Sequence, residues 1–489
     1  MAARGVVVVE GAEPHNPACV HGPTVLFERF LSDGSTRRFY ACAACRDRKD
    51  CAFFLWADQT LGRRKRELWA GMCRERQHRL THHERYQKLS RVRGVAANQR
   101  VYCNTCCELL LLAEAGDHES CSLTTPVKDS QLTQPSTLLA PKDNAKLEAQ
   151  YLFSARSVEV LLSLLGCLGA TGVLCVGAPR VHEAITAATT PPMDSLMMDI
   201  DDRYCCFFPP ERFLQYNMFN HHFFNGSEAQ KTYTDFLAKH KKLVLLSDPP
   251  FGGRMELLAA TLGRIEADWR TAASMGPDST LPVLFVFPYF LEAQVVASMP
   301  ALAMMDYQVD YDNHPVYGKG PRGMKHGSAV RVFTNQPLSS LPLPSEDGYR
   351  WCGPCRRWVH AANAHCDLCQ ACTSKDGRTY KHCSECGRCV KPSWTHCQAC
   401  AACRPQDHSC SPTPTLGCYA CGSPDHKHLD CPKRKRSATS TKDSEKKKKK
   451  KRKNNNHNYN HNTSTTLPSS LADERVRNLS ILSRVMDAT

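Results

Sequence analysis

The segment Leu245–Arg254, LLSDPPFGGR, places an acid, two prolines and an aromatic ring directly after an apolar run. If that run is a strand of an α/β sheet, the turn lies at its carboxyl end, where such sheets bind ligands. The prolines fix the backbone and remove two N–H donors, which leaves carbonyl oxygens as acceptors. Asp248 and the Pro249 carbonyl are then suited to hold the amino group of a planar ring stacked on Phe251. The alternative is an ordinary turn with Phe251 in the core.

The sequence around this turn predicts a parallel sheet. Short apolar runs alternate with helical stretches, as is typical of buried parallel strands. The predicted strands are GVLCVG (172–177), SLMMDI (195–200), KLVLLS (242–247), PVLFVF (282–287), MMDYQVDY (304–311) and SAVRVFT (328–334), and MELLAATLGRIEADWRTA (255–272) is a predicted helix. No helical pattern separates the last two strands, so we expect them to pair antiparallel. The fold class is therefore α/β, and the arrangement resembles that of Rossmann-like methyltransferases.

Two further strand ends carry suitable chemistry. The turn after GVLCVG can bring the backbone of Gly177–Arg180 close to a ligand. Asp199 and Asp201 lie at the end of the second strand, where a carboxylate is well placed to accept both hydroxyls of a ribose; the pattern does not choose between them. The methyl group of S-adenosylmethionine is already activated, so positioning should contribute more to its transfer than acid–base catalysis.

The composition indicates several domains and bound zinc. A chain of 489 residues is too long for one compact domain. Its 28 cysteines recur as C-x-x-C pairs near histidines, a metal-ligand spacing that favours a reducing intracellular compartment. The N-terminal apolar run is too short for a secretory signal. Residues 158–178 are long enough to span a membrane, but Glu159 and three glycines predict a helix, a turn and a buried strand instead.

Two candidate zinc modules precede the α/β region. RRFYACAACRDRKDCAFFLWAD (37–58) resembles a GRF-type finger, with Cys45 left over. Its Arg37, Arg38, Phe53 and Trp56 suit single-stranded nucleic acid, unless the two rings form the small core of the finger. The second module has C2H2-like spacing with cysteine in the last place. The predicted ligands are Cys19, His21, Cys42 and Cys51 in the first module and Cys103, Cys106, His118 and Cys121 in the second.

A third module repeats the unit H-C-x2-C-x2-C. It resembles the cysteine-rich domain of DHHC palmitoyltransferases, but it has Ser409 within the motif and lacks their membrane helices, so we predict a structural scaffold. Twelve cysteines and four histidines suffice for four tetrahedral sites, and the spacing leaves their pairing open. These ligands are Cys352, Cys355, His365, Cys366, Cys369, Cys372, His382, Cys383, Cys386, Cys389, His396, Cys397, Cys400, Cys403, His408 and Cys410.

The fourth module and a basic tail end the chain. Cys418, Cys421, His426 and Cys431 have the spacing of a zinc knuckle, which is associated with single-stranded RNA. The runs PKRKR (432–436) and KKKKKKRK (446–453) contribute to a formal net charge of +15. They predict a nuclear and nucleolar location and added RNA affinity through counterion release, and the cytoplasm is a further expected location. The alternatives are purely structural zinc and a solvated tail without a partner.

Six longer stretches carry a more specific resemblance. They are AQYLFSARSV (149–158), VLCVGAPRVHE (173–183), MMDIDDRY (197–204), YNMFNHHFF (216–224), DPPFGG (248–253) and YQVDYDNHPVYGKG (307–320). A D-P-P-[FWY] turn after a strand resembles the amino-directed adenine methyltransferases. In this order, the six stretches resemble the CCHC zinc-finger ribosomal-RNA adenine methyltransferases. The resemblance implies S-adenosylmethionine as donor and N(6)-methyladenosine in large-subunit ribosomal RNA as product.

The resemblance also implies roles for single residues. VGAPR lacks the several glycines of many cofactor loops, so contacts from residues 177–180 rest on the resemblance alone. His221 and His222 fit a surface or core position better than catalysis. The implied catalytic residues are Asp248, Pro249, Pro250 and Phe251. The implied cofactor contacts are Gln150, Tyr151, Leu152, Phe153, Ser154, Ala155, Gly177, Pro179, Arg180, Asp199, Asp201, Asn217, Phe219, Asn220 and Asp248.

The expected domains follow these patterns. The loop 312–327 is basic and glycine-rich; it is expected to close over the pocket or contact RNA, or else to be merely mobile. Deleting residues 314–325 tests this expectation through the RNA methylation rate. The domains are a GRF-type finger (15–60), a C2H2-like finger region (61–121), a Ser/Thr/Pro-rich linker (122–142), the methyltransferase domain (143–345), a cysteine-rich multi-zinc domain (349–411), a CCHC knuckle (416–433) and a disordered basic tail (434–489).

Three functions fit the sequence. The first is an RNA adenine methyltransferase whose fingers hold structured RNA while the target base is flipped into the pocket. The second is a zinc-dependent RNA-binding protein with an inactive α/β domain. The third is a methyltransferase for DNA or protein; the turn favours adenine over other amino acceptors, and the knuckle favours RNA over DNA. No membrane partner is expected.

Overall fold

The computed structural model describes residues 6–10, 15–31, 35–45, 50–76, 79–142, 150–188, 193–314 and 327–410. They form two compact units. The first is Met1–Ala362 with Lys375–Gly377, and the second is Asn363–Ser374 with the chain from Arg378 onward. The predicted knuckle and basic tail lie outside the described residues, as does the segment 315–326.

The first unit begins with a small sheet and a ribbon. The sheet is antiparallel and has the strand order β1-β4-β5-β6, while β2 pairs with β3. The strands are β1 (Val6–Glu10), β2 (Ala18–Cys19), β3 (Gly22–Pro23), β4 (Val25–Phe30), β5 (Thr36–Ala41) and β6 (Phe54–Trp56). Helices α1 (Arg63–Arg76) and α2 (His82–Arg93) follow. Thr81 and Glu84 form a capping box that fixes the start of α2.

A three-stranded sheet and a packed segment come next. The sheet comprises β7 (Arg100–Cys103), β8 (Glu108–Leu111) and β9 (Leu123–Thr124), and helix α3 (Asp129–Thr133) follows. The segment 122–142, predicted as a linker, contains β9 and α3 and packs into the first unit. Its apolar side chains, including Val127 and Leu132, are buried in one core with Phe207 and Phe213. Ser136 also donates to the buried Glu183 from its backbone N–H at 2.8 Å and its hydroxyl at 2.6 Å.

The α/β region of the first unit contains an eight-stranded mixed sheet. Its order is β13-β12-β11-β10-β14-β15-β17-β16. The strands are β10 (Gly172–Val176), β11 (Asp194–Asp199), β12 (Phe213–Asn217), β13 (His222–Phe223), β14 (Leu243–Ser247), β15 (Val283–Pro288), β16 (Ala303–Gln308) and β17 (Val330–Thr334). Strands β12, β11, β10, β14 and β15 are parallel, and β16 pairs antiparallel with β17. The six predicted strands and their antiparallel pair are confirmed, whereas β12 and β13 were not predicted.

Five helices accompany this sheet. They are α4 (Ala155–Cys167), α5 (Pro179–Ala187), α6 (Gly226–Lys239), α7 (Met255–Ala272) and α8 (Glu292–Ser298). The stretch 158–178 forms most of α4, a turn at Gly169 with φ of +64°, and β10, as predicted. Helix α7 has the predicted bounds. None of the helices within the described ranges is long and apolar enough to cross a membrane.

The small sheet and the large sheet share one hydrophobic core. Val25 and Phe27 of β4 and Ala43 after β5 are buried in the same cluster as Phe219 and Phe223. The guanidinium of Arg254 lies 4.9 Å from the centre of the Phe27 ring. Burial of each large apolar side chain contributes roughly 1.5–3 kcal/mol. The predicted GRF finger and the α/β sheet therefore pack together within the first unit.

The remaining elements are short hairpins. Strands β18 (Tyr349–Cys352) and β19 (Arg357–His360) close the first unit. The second unit contains three further hairpins, each rich in cysteine and histidine. They pair β20 (His365–Cys366) with β21 (Ala371–Cys372), β22 (Lys381–Cys383) with β23 (Arg388–Val390), and β24 (Trp394–Cys397) with β25 (Ala402–Pro405).

Candidate active site

Three neighbouring strands bring the predicted site residues to one edge of the sheet. Gly177 follows β10, Asp199 ends β11 and Asp248 follows β14. The Asp248 N–H donates to the Val176 carbonyl at 3.0 Å, which holds two of these strand ends together. Gly177 has a φ of +70°, and a Cβ there would lie 2.8 Å from the Asp248 carbonyl oxygen. Only glycine fits this close approach, although the sequence shows a single glycine in the turn.

These strand ends line an open cavity. Most of the predicted catalytic and cofactor residues lie in its wall. Six lining residues are not among those named from the sequence. Ala44 and Lys142 come from distant parts of the chain, whereas the other four lie next to or within a few positions of predicted residues: Ile200, Tyr204, Tyr216 and Met218. The predicted residues in the wall are Gln150, Tyr151, Leu152, Gly177, Pro179, Asp199, Asn217, Phe219, Asp248, Pro249, Pro250 and Phe251.

Phe251 lies between the core and this cavity. Its ring centre is 5.8 Å from that of Phe287 on the core side and 6.2 Å from that of Tyr151, which also lines the cavity. The His314 ring lies 4.0 Å from Tyr151 and 6.4 Å from Phe251. Phe251 therefore contributes to the cavity wall as well as to the core. Planar rings converge at this end of the cavity.

Asp248 is an unusual carboxylate. Burial raises its pKa well above the usual range, and the nearby Asp199 carboxylate raises it further. The Tyr311 hydroxyl donates to Asp248 Oδ1 at 2.9 Å and opposes this rise, because it stabilises the ionised form. Tyr311 is itself buried, with its ring 5.2 Å from that of Phe153. Tyr311 was not identified as a site residue from the sequence, since it lies 63 positions from Asp248.

The structure distinguishes the two acids after β11. Asp199 lines the cavity, and burial together with the Asp201 carboxylate raises its pKa to about 7. Asp201 is 1% exposed and bonded to Arg203 and Gln150. Burial alone would raise its pKa, but Arg203 and Lys142 hold the pKa at about 2. Of the two, Asp199 is the acid that faces the cavity.

The remaining predicted cofactor residues lie around the wall. Phe153 is buried beside Tyr311, and the Ser154 hydroxyl accepts from the Ser157 N–H to cap α4, which begins at Ala155. Arg180 donates to the Phe153 carbonyl at 2.7 Å and also pairs with Asp312. Phe153, Ser154, Ala155 and Arg180 therefore support residues of the wall. Their contact with S-adenosylmethionine stays a prediction.

Two asparagines connect the cavity to the β2–β3 ribbon. Asn217, in the wall, donates to the His21 carbonyl at 2.8 Å and accepts from the Phe219 N–H at 3.0 Å. Asn220 donates to the carbonyls of His21 and Pro23, both at 2.9 Å. Since both amide donors bind backbone of the β2–β3 ribbon, these side chains hold the wall in place. Of the two histidines next to them, His221 has a structural contact, since its Nδ1 lies 2.7 Å from the Tyr216 hydroxyl oxygen.

Zinc-ligand geometry is present at both predicted fingers of the first unit. Cys19, His21, Cys42 and Cys51 form one group, and Cys103, Cys106, His118 and Cys121 form another. Cys106 Sγ lies 3.8 Å from Cys121 Sγ and 3.4 Å from His118 Nδ1. Zn–S bonds of about 2.3 Å and Zn–N bonds of about 2.0 Å in a tetrahedron require similar separations. Both donor sets fit zinc, and Cys45 lies beside the first group, 3.9 Å from His21 Nδ1.

The second unit resolves part of the pairing that the sequence leaves open. Each site takes a C-x-x-C pair from one hairpin and a histidine and cysteine from the next. Cys397, Cys400, His408 and Cys410 also converge, with a Cys397–Cys410 Sγ distance of 3.4 Å. Of the other predicted ligands, Cys352 and Cys355 lie in the first unit and His365 and Cys372 in the second. The interleaved groups are Cys366, Cys369, His382 and Cys389, and Cys383, Cys386, His396 and Cys403.

The two aromatic residues predicted for the GRF finger differ in position. Phe53 is 2% exposed and packs 5.1 Å from Trp69, so it belongs to the core of the finger. Trp56 is half-buried, with the Arg37 guanidinium 3.9 Å from the centre of its ring. Trp56 and Arg37 therefore remain candidates for nucleic-acid contact, whereas Phe53 does not.

Comparisons with known proteins agree with this geometry. Residues 144–316 match the probable N6-adenine methyltransferase family, and residues 17–60 match the GRF zinc finger. The chain is 46% identical over 441 residues to the rRNA N(6)-adenosine-methyltransferase ZCCHC4 of Homo sapiens, covering 88% of this chain and 85% of that protein. It is 44% identical over 424 residues to the protein of the same name from Xenopus tropicalis, covering 85% and 86%.

The chain belongs to the rRNA N(6)-adenosine-methyltransferase family. The resemblance inferred from the sequence is thereby confirmed, as is the α/β methyltransferase fold. The cofactors of this methyltransferase are S-adenosylmethionine and zinc. The cavity fits the donor, because Gly177 allows a close backbone approach and Asp199 offers a carboxylate to a ribose.

Proposed function

We propose that this protein transfers a methyl group from S-adenosylmethionine to the exocyclic amine of an adenosine in large-subunit ribosomal RNA. The observation that carries the proposal is the turn Asp248–Phe251, which faces the cavity with a buried carboxylate, backbone carbonyls and an aromatic ring. An adenine amino group has two protons to donate, and this turn offers two acceptors. The relatives named as rRNA N(6)-adenosine-methyltransferases support the choice of substrate.

In this mechanism the turn orients the base. Asp248 and the Pro249 carbonyl accept the two amino protons, so the nitrogen lone pair points along the cavity. Phe251 and Tyr151 supply aromatic faces, and stacking of the base contributes about 1–3 kcal/mol. The donor supplies a methyl group on a positively charged sulfur. The carboxylate of Asp248 then takes up the proton that the methylated amine releases, a role suited to its raised pKa.

The wall of the cavity positions the donor. Asp199 accepts hydrogen bonds from ribose hydroxyls, while Gly177 leaves room for the backbone to approach it. Asn217 and Phe219 also line the cavity. Because these groups are fixed by the sheet and by the β2–β3 ribbon, the site is preorganised. Rate enhancement then derives mainly from the relative position of the two substrates.

RNA binding supplies the rest of the recognition. The target adenosine leaves its stack and enters the pocket, since enzymes that act on a base take it out of the stack. The zinc modules and the chain charge of +15 attract the surrounding phosphates. In the expected domain division, the methyltransferase domain receives the base while the finger and cysteine-rich domains are available to bind the surrounding RNA. The basic runs 432–436 and 446–453 favour a nuclear and nucleolar location, where ribosomal RNA is modified.

An Asp248→Ala variant tests this function. We expect methyl transfer to ribosomal RNA to fall about 10- to 150-fold, because a hydrogen bond to a charged group contributes about 1.5–3 kcal/mol. Labelled S-adenosylmethionine with RNA, DNA and a basic protein as acceptors measures the transfer. The matched control is Asp235→Ala, an exposed acid on α6. Failure of the wild-type protein to bind S-adenosylmethionine in calorimetry, or transfer to DNA or protein alone, would contradict the proposal.

A further inference from the structure

The hairpin β18–β19 presents a pair of indole rings. Trp351 and Trp358 lie directly opposite each other in the hairpin. Their ring centres are 6.0 Å apart, with an interplanar angle of 67°. Trp351 is 42% exposed, the largest exposure of any aromatic side chain in the described part of the chain. Tryptophan is on average a strongly buried residue, so this exposure requires an explanation.

The hairpin holds Trp351 rigidly against the methyltransferase sheet. Tyr349 and Val359 are buried. The Gln308 N–H donates to the Tyr349 hydroxyl oxygen at 2.9 Å, and the His360 N–H donates to Asp306 at 2.7 Å. These bonds fix the hairpin to β16, the edge strand of the sheet. A ligand that stacks on Trp351 would therefore lose little affinity to ordering of the protein.

The charge of the hairpin selects the kind of ligand. Residues 349–360, YRWCGPCRRWVH, contain three arginines and no acid. Arg350 and Arg356 are exposed, whereas the branched aliphatic residue of the segment, Val359, is fully buried. Cations without a neighbouring acid in the segment favour an anionic partner. Aromatic faces among arginines suit an unpaired nucleotide, whose base stacks and whose phosphates are anionic.

We propose that Trp351, supported by Trp358, stacks an unpaired base of the RNA substrate while Arg350, Arg356 and Arg357 attract the adjoining phosphates. The proposal rests on the proposed function, because it takes RNA as the substrate, and it adds a contact outside the methyl-transfer pocket. Stacking accepts any base, so this site contributes affinity and placement of the RNA. The choice of the methylated adenosine remains with the pocket.

Substitutions in the full chain test the stacking site. With a single-stranded oligouridylate as probe, Trp351→Ala should weaken binding roughly 5- to 100-fold, the factor expected for loss of one stacked base. Trp351→Phe keeps an aromatic face and should retain most of the affinity. Val7→Ala, at a residue 43% exposed on β1, is the matched control and should bind as the wild type does. Unchanged affinity of Trp351→Ala would overturn the proposal.

A second measurement uses the unaltered protein, because Trp351 adjoins the predicted zinc ligand Cys352 and a variant that loses zinc is uninformative. RNA containing 4-thiouridine should crosslink to the segment 349–360 on irradiation. Crosslinks confined to other segments would overturn the stacking site. Calorimetry with S-adenosylmethionine separates the two proposals. Absent donor binding would contradict the proposed function, whereas normal donor binding without a crosslink would contradict the stacking site alone.

Discussion

At the scale of single residues, the chemistry depends on the charge of Asp248. Burial and the Asp199 carboxylate favour its neutral form, and the Tyr311 hydroxyl favours the ionised form. Only the ionised carboxylate is both a strong acceptor for the adenine amine and a base for the released proton. The Tyr311 hydrogen bond of 2.9 Å favours this ionised state and partly offsets the effect of burial. Tyr311 is a positioning residue in this scheme, since it acts through Asp248.

We expect Tyr311→Phe to shift the acid side of the pH–rate profile toward higher pH. The substitution removes a hydrogen bond that stabilises the carboxylate, so the pKa of Asp248 rises further and the ionised fraction at a given pH falls. Activity is present above this pKa and is lost as the pH falls through it. At neutral pH we expect kcat/KM to decrease about tenfold. The measurement is the rate of methyl transfer to RNA as a function of pH.

The control for this prediction is Tyr307→Phe. Tyr307 is also buried, but its hydroxyl lies 3.4 Å from the Ser157 hydroxyl rather than at the cavity. This variant should keep the wild-type pH dependence. If Tyr311→Phe lowers activity equally at every pH, Tyr311 has a packing role only.

At the scale of structural elements, the turn between β12 and β13 is held in place by hydrogen bonds to the β2–β3 ribbon, which carries the predicted zinc ligands Cys19 and His21. Asn217 and Asn220 both donate to the carbonyl of His21, a predicted zinc ligand. Ala44, close to the ligand Cys42, also lines the cavity. The finger therefore forms part of the methyl-transfer pocket, in addition to any contact that it makes with RNA.

We expect Cys42→Ser to release one zinc ion and to weaken S-adenosylmethionine binding about tenfold. Loss of the metal frees the β2–β3 ribbon, and the hydrogen bonds that fix Asn217 contribute about 0.5–1.5 kcal/mol each. Elemental analysis and calorimetry measure the two effects. Cys167→Ser, at an exposed cysteine of α4, is the control and should change neither. Zinc loss with unchanged donor affinity would show that the ribbon is independent of the pocket.

At the scale of the whole molecule, positive charge governs RNA affinity. The formal net charge is +15, and the run 446–453 alone supplies eight basic residues. Each phosphate neutralised by lysine or arginine releases counterions, so binding weakens as salt increases. This term is independent of RNA sequence and would add to the contacts proposed at the pocket.

Replacing residues 446–453 by serine and glycine should reduce the salt dependence of RNA binding. The slope of log K against log[salt] becomes shallower, because fewer counterions are released per complex. Affinity at low salt should fall while S-adenosylmethionine binding is unchanged. Binding titrations over a range of salt concentrations measure this slope. An unchanged slope would mean that the run does not contact RNA.

The sequence by itself determined the features that depend on a few neighbouring residues, such as strands, the Asp248–Phe251 turn and zinc-ligand pairs. Apolar runs between helices predicted six strands of the sheet, because buried parallel strands exclude polar residues. The order Asp-Pro-Pro-Phe after a strand predicted the site, and C-x-x-C spacing predicted the zinc ligands. In each case the signal spans only a few residues. The resemblance at 248–253 and five other stretches then predicted the family.

Only the tertiary structure decided which distant residues meet. Tyr311 reaches Asp248, Asn217 reaches His21, and the apolar side chains of the predicted linker are buried in a core. The interleaved ligand groups of the second unit also join different hairpins, and equal spacing in each repeat allows several pairings. These contacts depend on how the chain crosses itself, since shared burial and converging ligands arise from packing over long separations. No local pattern in the sequence encodes them.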